Sequence, residues 1–318
     1  MAAQTTTRSA PPEQIRAVPV RHPGRWIAAA VIAVLVAMFL NMLVTNPVFQ
    51  WHFMIDNMFT PPVLRGVRTT LIMTVLAMVI GVLIGIVLAI LRLSPNPILS
   101  GAAWVYVWFF RAIPRYVLLF FVGNLGALYP SYALGLPWGP QLMHALGLSG
   151  DLQFLHLNGN QIFAGFTAGL IGLALSEGAY MAEIVRAGIQ AVDPGQSEAS
   201  AALGMSRGAT MRRIVLPQAM RVIIPPTGNE VIAMLKDTSL LIAVPVTTEL
   251  YFQLHAIGAR TFQVIPLAIA TILWYVALSS VLMIGQYFVE RRFSRGFGTR
   301  ETRAQRAARR ALEVGGTH

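Results

Sequence analysis

The chain has 318 residues, of which 55% are hydrophobic and only 12% charged, and its formal net charge is +11. This balance leaves too little polar surface to coat a soluble globule of that length, so it indicates a membrane protein. Cysteine is absent, which excludes disulfides, thiol catalysis and cysteine-held zinc or iron–sulfur sites. The arginines cluster beside apolar runs, a pattern that favours membrane topology over binding of nucleic acid.

The N-terminal region contains a polar tail and then an apolar run. Residues 1–25 are rich in Thr, Pro and Arg without apolar periodicity, which predicts a disordered basic cytoplasmic tail. Residues 26–45 are long enough to cross a hydrocarbon core of about 30 Å. Their basic flank also resembles a signal peptide, but no Ala-x-Ala cleavage pattern follows. We therefore predict a retained, extra N-terminal transmembrane anchor.

Two further spans are predicted at 69–91 and 104–128. In the third span, Pro114 lies between Arg111 and Arg115, which predicts a kink or a helix start there, with both arginines near the cytoplasmic end or inside the bundle. The second span carries small residues at every fourth position, which predicts close packing against another helix. These residues are Ala77, Gly81, Gly85 and Ala89.

The second half of the chain completes the predicted topology. Residues 129–161 contain no Lys or Arg, so the positive-inside rule predicts an external loop. Further spans are predicted at 162–181, 223–249 and 264–289, and a basic cytoplasmic tail at 290–318 is expected to contact lipid headgroups. We predict an all-α integral membrane protein with about six transmembrane helices, both termini in the cytoplasm, and one membrane domain over residues 64–289.

No recognised catalytic or nucleotide-binding motif is present in the sequence. A P-loop requires Gly-x-x-x-x-Gly-Lys-Ser/Thr, but the single lysine, Lys236, follows "VIAML" and precedes Asp237. His-Glu-x-x-His and Gly-x-Ser-x-Gly are also absent, and the 6 histidines are scattered. We expect no catalytic residue, no metal site and no cofactor bound by this chain.

A polar stretch, "GQSEASAALGMSRGATMRRIVLPQA", interrupts the apolar sequence between the fourth and fifth spans. Asp-Pro-Gly before it predicts a turn, Ser197 an N-cap, and Gly204 the end of a first short helix that carries Glu198 in its first turn. A second helical piece is predicted over 206–215, ending at Leu216-Pro217. Such a bent pair of helices suits docking on a partner or lying on the membrane surface, and physical chemistry alone leaves both open.

The spacing in this stretch resembles a known family motif. Glu198-Ala199-Ser200, three residues, Gly204, nine residues and Ile214-x-Leu216-Pro217 match Glu-Ala-Ala-x3-Gly-x9-Ile-x-Leu-Pro, the motif of membrane subunits of binding-protein-dependent ABC importers. "GAYMAEIVRAGIQAVDPGQSEASAALGMS", "IVLPQAMRVIIPPTGNEVIAMLKDTSL" and a later "TEL" are similar to the polar amino acid permeases, which include the histidine, glutamate, glutamine and arginine permeases. The similarity runs over about 64–288.

This resemblance implies a type I ABC importer transmembrane fold of five helices plus the N-terminal extra helix, with cytoplasmic coupling helices. The loop 196–217 would dock on a separate ATPase subunit that binds ATP and Mg²⁺, and an extracytoplasmic solute-binding protein would deliver the solute. A second permease copy, identical or homologous, would complete the path through the inner membrane. The coupling residues implied are Glu198, Ala199, Ser200, Gly204, Ile214, Leu216 and Pro217.

The chain also departs from the family pattern. Ser200 replaces the second alanine of Glu-Ala-Ala, a change between small residues that should leave docking intact. The family's Phe-Arg-Gly-Thr-Pro-Leu-Leu-Val-Gln appears as "FRAIPRYVL", with Ala112, Ile113, Arg115 and Leu118 at the positions of Gly, Thr, the first Leu and Gln. The family's substrates therefore do not transfer automatically to this chain, and a non-binding partner of a heterodimer is compatible with these changes.

Charged and polar groups in or beside spans are the candidates for the translocation path, because their desolvation is unfavourable unless they are paired or line a wet cavity. Packing or gating by the same residues is the alternative. Glu183 and Arg186 have the spacing of a helix-surface ion pair, whereas Lys236 and Asp237 are adjacent and need separate partners. The candidates are Arg111, Glu177, Tyr180, Glu183, Asn229, Lys236, Asp237 and Thr238.

Together these features predict the permease subunit of an ATP-driven importer for polar amino acids or related small solutes. A secondary, ion-coupled transporter is an alternative, but it would need paired inverted repeats and carboxylates deep in the spans. A membrane-bound enzyme is a further alternative, but it would need a catalytic constellation. Neither set of features is evident in the sequence.

Overall fold

The computed structural model describes residues 23–150, 152–244 and 246–293. The chain divides into two compact units, 1–47 with 297–318, and 48–296. In the first unit the described element is α1, Pro23–Thr45, a helix of 23 residues that is apolar on all sides. The predicted tails lie outside the described residues, except for 23–25 and 290–293.

The second unit is built mainly from helices. In chain order they are α2 Trp51–Met58, α3 Pro61–Arg92, α4 Pro97–Ala112, α5 Arg115–Leu128, α6 Gly139–Ala145, α7 Gly159–Ile162, α8 Gly165–Gln190, α9 Pro194–Ala202, α10 Arg207–Thr210, α11 Leu216–Asp237, α12 Leu250–Thr261 and α13 Val264–Phe293. A π-helical segment, Met211–Val215, precedes α11, and a 3₁₀ segment, Thr238–Ala243, follows it. Another 3₁₀ turn, Pro47–Phe49, follows α1.

Four helices among the described residues are long and apolar enough to cross a membrane: α1, α3, α8 and α13. A fifth is obtained if α4 and α5 count as one span. The prediction of six is therefore not confirmed by length and composition. The predicted span at 223–249 is the one missing from these five, and it falls on α11. This helix contains Pro225 and Pro226 and also carries Glu230, Lys236 and Asp237, which lower its apolar character. The predicted end of this span at Glu249 is wrong, since α11 ends at Asp237 and Glu249 caps α12.

The third predicted span is broken where the sequence predicted it. Helix α4 ends at Ala112, α5 begins at Arg115, and their axes differ by 106°. Ile113 and Pro114 between them both have a ψ of 131°. Ile113 adopts this extended conformation because a residue before proline avoids the helical conformation. The break places Arg115 at the first position of α5.

The small-residue face of α3 packs against α8. Ala77 and Ala89 are completely buried, and Gly81 and Gly85 lie between them on the same face. A Cβ added at Gly81 would come within 2.6 Å of the Glu177 side chain. The packing prediction is therefore confirmed, and its consequence is that α8 holds Glu177 directly against the α3 backbone.

The principal core lies where α3, α5, α8 and α11 meet. Met73, Leu119, Leu173 and Met234 are among its buried side chains. A second apolar cluster joins α2, the beginning of α3, α12 and α13, around Leu250.

The predicted external loop contains a β-hairpin, which the all-α prediction did not include. Strands β1 Ser131–Gly135 and β2 Gln153–Asn158 pair antiparallel, with Ser131 opposite Asn158. The described residues are thus mainly helical, with a two-stranded antiparallel sheet in this loop.

Candidate functional site

The polar stretch between α8 and α11 begins with a capped short helix. The Asp193 carboxylate accepts a hydrogen bond from the Gly195 N–H at 2.7 Å, and Pro194 occupies the first position of α9. The predicted N-cap at Ser197 is therefore wrong: Asp-Pro-Gly starts the helix and is not a separate turn, because Asp caps well and Pro suits the first position. Glu198 consequently lies in the middle of α9.

The bend after α9 occurs at the predicted glycine. Gly204 has φ +73°, a conformation that a residue with a Cβ adopts with strain, and α9 ends at Ala202. The Ser206 hydroxyl then accepts a hydrogen bond from the Ala209 N–H at 3.3 Å and caps α10. The prediction that Gly204 ends the first helix is confirmed.

The second piece does not end at Leu216-Pro217, contrary to the prediction. Thr210, Met211, Val215 and Leu216 all have right-handed helical torsions, so α10, the π segment and α11 follow one another without a break. Pro217 lies in the first turn of α11, and because it has no N–H it cannot complete the helical hydrogen-bond ladder there, which fits the π-helical turn directly before it. The part of the stretch from Arg207 onward is therefore continuous with α11.

Most of the predicted coupling residues are accessible. Glu198, Ala199, Gly204, Leu216 and Pro217 are exposed, and Ile214 is half-buried. Ser200 is buried, and its hydroxyl donates to the Gln196 carbonyl at 2.6 Å. Leu203, which precedes the bend, is 82% exposed. The stretch thus presents a carboxylate, small residues and several large apolar side chains, of which Leu203 is the most exposed, and its docking role stays a prediction.

A second group of charged residues lies inside the bundle around Arg115. Its Nη2 donates to Glu177 Oε2 at 3.0 Å and lies 3.9 Å from Glu230 Oε2, while Nη1 contacts Asp237 Oδ2. Helix α5 supplies the guanidinium, α8 supplies Glu177, and α11 supplies the other two carboxylates. We call these four residues the Arg115 cluster.

Tyr180 and Arg111 extend the Arg115 cluster along one side. The Arg115 guanidinium carbon is 4.7 Å from the centroid of the Tyr180 ring, and that of Arg111 is 5.4 Å from the same centroid. Such distances are within the range of cation–π attraction. Tyr180 lies one helical turn after Glu177 on α8, which places both on one face.

Glu183, one helical turn after Tyr180 on α8, forms an ion pair and lines a cavity. Glu183 accepts from Arg186 at 2.6 Å, as the spacing predicted, and lies 3.7 Å from Arg92. A cavity of about 510 Å³ opens beside them. Its lining includes Arg92, Trp104, Trp108, Arg111, Tyr180 and Glu183.

Three candidates do not join the Arg115 cluster. The Asn229 side chain faces α13, where its Oδ1 accepts from Gln286 Nε2 at 2.9 Å. Lys236 is exposed, and none of the described carboxylates forms a salt bridge with it. Thr238 is buried, donates to the Leu235 carbonyl at 2.7 Å, and lies 3.2 Å from the Tyr275 hydroxyl.

Sequence reasoning missed two features. The sequence predicts that Arg115 lies near the cytoplasmic end or inside the bundle and departs from the family motif, but it does not place Arg115 among the candidates for the translocation path; the departure from the motif is the available signal. Glu249, within the quoted "TEL", is 1% exposed and accepts four hydrogen bonds. Their donors are Thr70 Oγ1 at 2.7 Å, Tyr275 Oη at 2.8 Å, the Tyr251 N–H at 2.7 Å and the Phe252 N–H at 3.2 Å.

Known proteins are similar to this chain in sequence and in fold. The arginine transport system permease protein ArgU of Corynebacterium glutamicum is 45% identical over 300 residues, which cover 94% of this chain and 90% of that protein. The probable amino-acid permease protein YxeN of Bacillus subtilis is 34% identical over 252 residues, covering 79% of this chain and 98% of that protein. A crystal structure of an amino acid ABC transporter with histidines has a TM-score of 0.58 at 31% identity, and covers 76% of this chain and 98% of that one.

A family model described as "Binding-protein-dependent transport system inner membrane component" matches residues 81–295, which include the Arg115 cluster and the polar stretch. The match covers more than half of the chain, and the resemblance seen in the sequence is thereby confirmed. The chain is a transport component and not an enzyme, and it belongs to the family of inner-membrane components of binding-protein-dependent transport systems.

Proposed function

We propose that this chain is the permease subunit of an ATP-driven importer for polar amino acids, working with a separate ATPase and an extracytoplasmic solute-binding protein. The observation that carries the proposal is the exposed, bent stretch from Pro194 to Val215, which is continuous with a helix that enters the charged interior. The relatives named for arginine and amino-acid transport support the substrate class. The chain itself carries no P-loop, so the energy must come from a partner.

In this proposal the loop 196–217 is the coupling element. Glu198 and the small residues after it would enter a groove on the ATPase, and the exposed Leu203 side chain would be buried there. Closure of the ATPase pair would then displace α11, because the part of the loop after the bend at Gly204 continues into this helix without a break. Over 22 residues, α11 is about 33 Å long, which is sufficient to carry this displacement across the bilayer core.

We further propose that two permease copies line the path and that both termini lie in the cytoplasm. In this proposal the Arg115 cluster faces the solute, and Glu177, Tyr180 and Asp237 lie within contact range of that solute. Arg111 and Glu183 line the cavity beside the cluster, whereas Asn229, Lys236 and Thr238 serve packing or gating. The arginine-rich flanks support the orientation.

The test is reconstitution of the chain in vesicles, with its ATPase and solute-binding protein, and measurement of radiolabelled amino-acid uptake and ATP hydrolysis. ATP-dependent uptake that needs all the components is expected. Uptake by the permease alone, driven by an ion gradient, would contradict the proposal and favour a secondary transporter.

Charge reversal at Glu198 tests the coupling element. Glu198→Lys should lower uptake about tenfold or more while ATP hydrolysis continues, because a charge lost at a close interface pair costs about 1.4 kcal/mol or more. Asp56→Lys, an equal reversal at an exposed position of α2, is the matched control and should leave uptake unchanged. Normal uptake by Glu198→Lys would remove Glu198 from the docking surface.

A further inference from the structure

A cavity of about 820 Å³, separate from the Arg115 cluster, lies between α3, α8, the π segment and α11. We call it the α3–α11 cavity. Among the described residues that line it, none is charged, and the polar ones are Ser94 and Thr227. The Thr227 hydroxyl already donates to the Ile223 carbonyl at 2.8 Å. The lining therefore suits an apolar occupant.

The α3–α11 cavity is long and open along one side. On α3 its lining runs over 82–93 and on α11 over 216–227, which at 1.5 Å per residue is about 17 Å along each helix. One leaflet contributes half of a hydrocarbon core of about 30 Å, so it is about 15 Å deep. Val185 on α8 is buried at the floor, whereas Ile90 is 61% exposed at the rim. The cavity thus has the depth of one leaflet and an opening along its rim.

Neither water nor an amino acid suits this space. A buried water needs two or more polar partners, and the lining offers few. An amino acid would bring charged groups that no charged lining residue pairs, and their desolvation would be unfavourable. The acyl chain of a lipid needs no polar partner, and lipids surround a membrane protein on all sides. The cavity is therefore suited to an acyl chain.

Arginines lie at one end of the α3–α11 cavity. The end of α3 and the beginning of α11 form this end, with residues 93–95 and Met211 in the lining. Arg212 and Arg213 directly follow Met211, and both are exposed. None of the described carboxylates forms a salt bridge with either arginine. Guanidinium groups pair well with phosphate, so this end suits an anionic headgroup.

The π segment extends the apolar lining toward these arginines. Residues five apart in an α-helix lie about 140° apart around the helix axis, whereas a π turn, with bonds between residues five apart, brings them close to one face. Met211 begins the π segment and Leu216 follows it, and both line the cavity. The π turn therefore continues the apolar surface of α11 up to Arg212.

We propose that the α3–α11 cavity binds an acyl chain of an anionic phospholipid and that Arg212 and Arg213 bind the phosphate of its headgroup. The second part of the coupling stretch then contacts lipid. Glu198 and Leu203, before the bend, stay available to the ATPase, and this last point rests on the function proposed above. Lipid binding itself does not require that function.

The test is photolabelling in lipid nanodiscs. The full-length chain, purified with the subunits that accompany it, is reconstituted in equal amounts of phosphatidylcholine and phosphatidylglycerol, one of which carries a diazirine midway along an acyl chain. Phosphatidylglycerol should label Val185 at least about fivefold more than phosphatidylcholine does. Equal labelling by the two lipids would overturn the proposal. An unlabelled Val185 would also overturn it and would indicate a protein segment in the cavity.

A bulky side chain at the rim tests the route of the label. Ile90→Trp narrows the cavity and should remove most of the label at Val185. Leu83→Trp is the matched control, because Leu83 is 60% exposed on the same helix but does not line the cavity. Labelling that persists in Ile90→Trp, or that falls equally in both variants, would contradict entry of the chain through this cavity.

The headgroup contact is tested by removing two charges at once. In the double variant Arg212→Gln, Arg213→Gln, phosphatidylglycerol and phosphatidylcholine should label Val185 about equally, because about one favourable interaction per arginine is lost. The control Arg65→Gln, Arg68→Gln removes two exposed arginines near the beginning of α3 and should keep the wild-type ratio. An unchanged ratio in the first double variant would overturn the assignment of the phosphate.

The lipid site and the transport function can fail separately. If the arginine variants do not assemble, the labelling of wild-type Val185 by the two lipids still decides the outcome. Labelling requires neither ATP nor solute, so its failure would refute this inference and leave the proposed importer intact. The absence of ATP-dependent uptake by a chain that is labelled at Val185 would refute the proposed function and support the lipid site.

Discussion

Glu249 and Arg115 show two different ways in which this bundle holds a buried charge. Both Glu249 oxygens are used by hydroxyl and backbone donors, and one pair of donors is the N-terminus of α12. Among the described residues, one oxygen of Glu177 has no hydrogen-bond donor, and three carboxylates lie within salt-bridge distance of the single Arg115 guanidinium. A fully paired carboxylate suits a fixed structural role, whereas an incompletely paired one suits an exchange of partners.

Replacement of Glu249 should therefore lower stability. Glu249→Ala removes the acceptor for two hydroxyls and two N–H groups, and it should reduce the free energy of unfolding by about 3 kcal/mol. Thermal unfolding of the detergent-solubilised complex measures the effect. Asp56→Ala, an exposed carboxylate on α2, is the control and should unfold at the wild-type temperature. Wild-type stability of Glu249→Ala would mean that these donors find water in place of the carboxylate.

At the scale of elements, the contact between α3 and α8 depends on residues without side chains. A Cβ added at Gly85 would lie 2.9 Å from the Ala182 backbone nitrogen, closer than any relaxed contact. Because the neighbour is backbone, the two helices would have to separate. Gly85→Ala should destabilise the bundle by about 2 kcal/mol.

The matched control for this packing prediction is Gly101→Ala on α4. Nothing lies within 4 Å of the added methyl group at Gly101, so the helix should be unchanged or gain about 0.5 kcal/mol. Thermal unfolding of the two variants should differ in sign or by several degrees. Equal stabilities would show that the α3–α8 contact can shift at little cost.

The bend in the coupling stretch offers a second test at this scale. Gly204 has φ +73° and open space around it, so Gly204→Ala adds backbone strain of about 1–2 kcal/mol and no steric contact. The stretch should relax to a different bend, and the number of molecules imported per ATP hydrolysed should fall.

Gly208→Ala is the control for this bend, because Gly208 is helical and also lies in open space. It should leave the ratio of uptake to hydrolysis unchanged. A similar loss of coupling in both variants would assign the effect to the added methyl groups and not to the bend at Gly204.

At the scale of the whole molecule, local patterns predicted most helices, while contacts between helices required the structure. Long apolar runs predicted α1, α3, α8 and α13, and Pro114 predicted the break between α4 and α5. The sequence did not reveal where α11 ends, because its two prolines and its charges obscure the apolar pattern. It also could not pair Arg115 with Glu177 or Asp237, which lie 62 and 122 residues further along the chain.

The orientation of the chain in the membrane is the largest-scale prediction, and the absence of cysteine makes it directly measurable. Single variants Thr6→Cys, Ser149→Cys and Ser197→Cys each introduce one thiol, in the amino-terminal tail, the predicted external loop and the coupling stretch. Because arginine flanks favour the cytoplasm and the external loop lacks Lys and Arg, a membrane-impermeant maleimide should label only Ser149→Cys in intact cells or spheroplasts. Thr6→Cys and Ser197→Cys should react only after permeabilisation, which also confirms that each thiol is accessible. Labelling of Thr6→Cys from outside would place the tail opposite the coupling stretch, and would require an odd number of crossings between them.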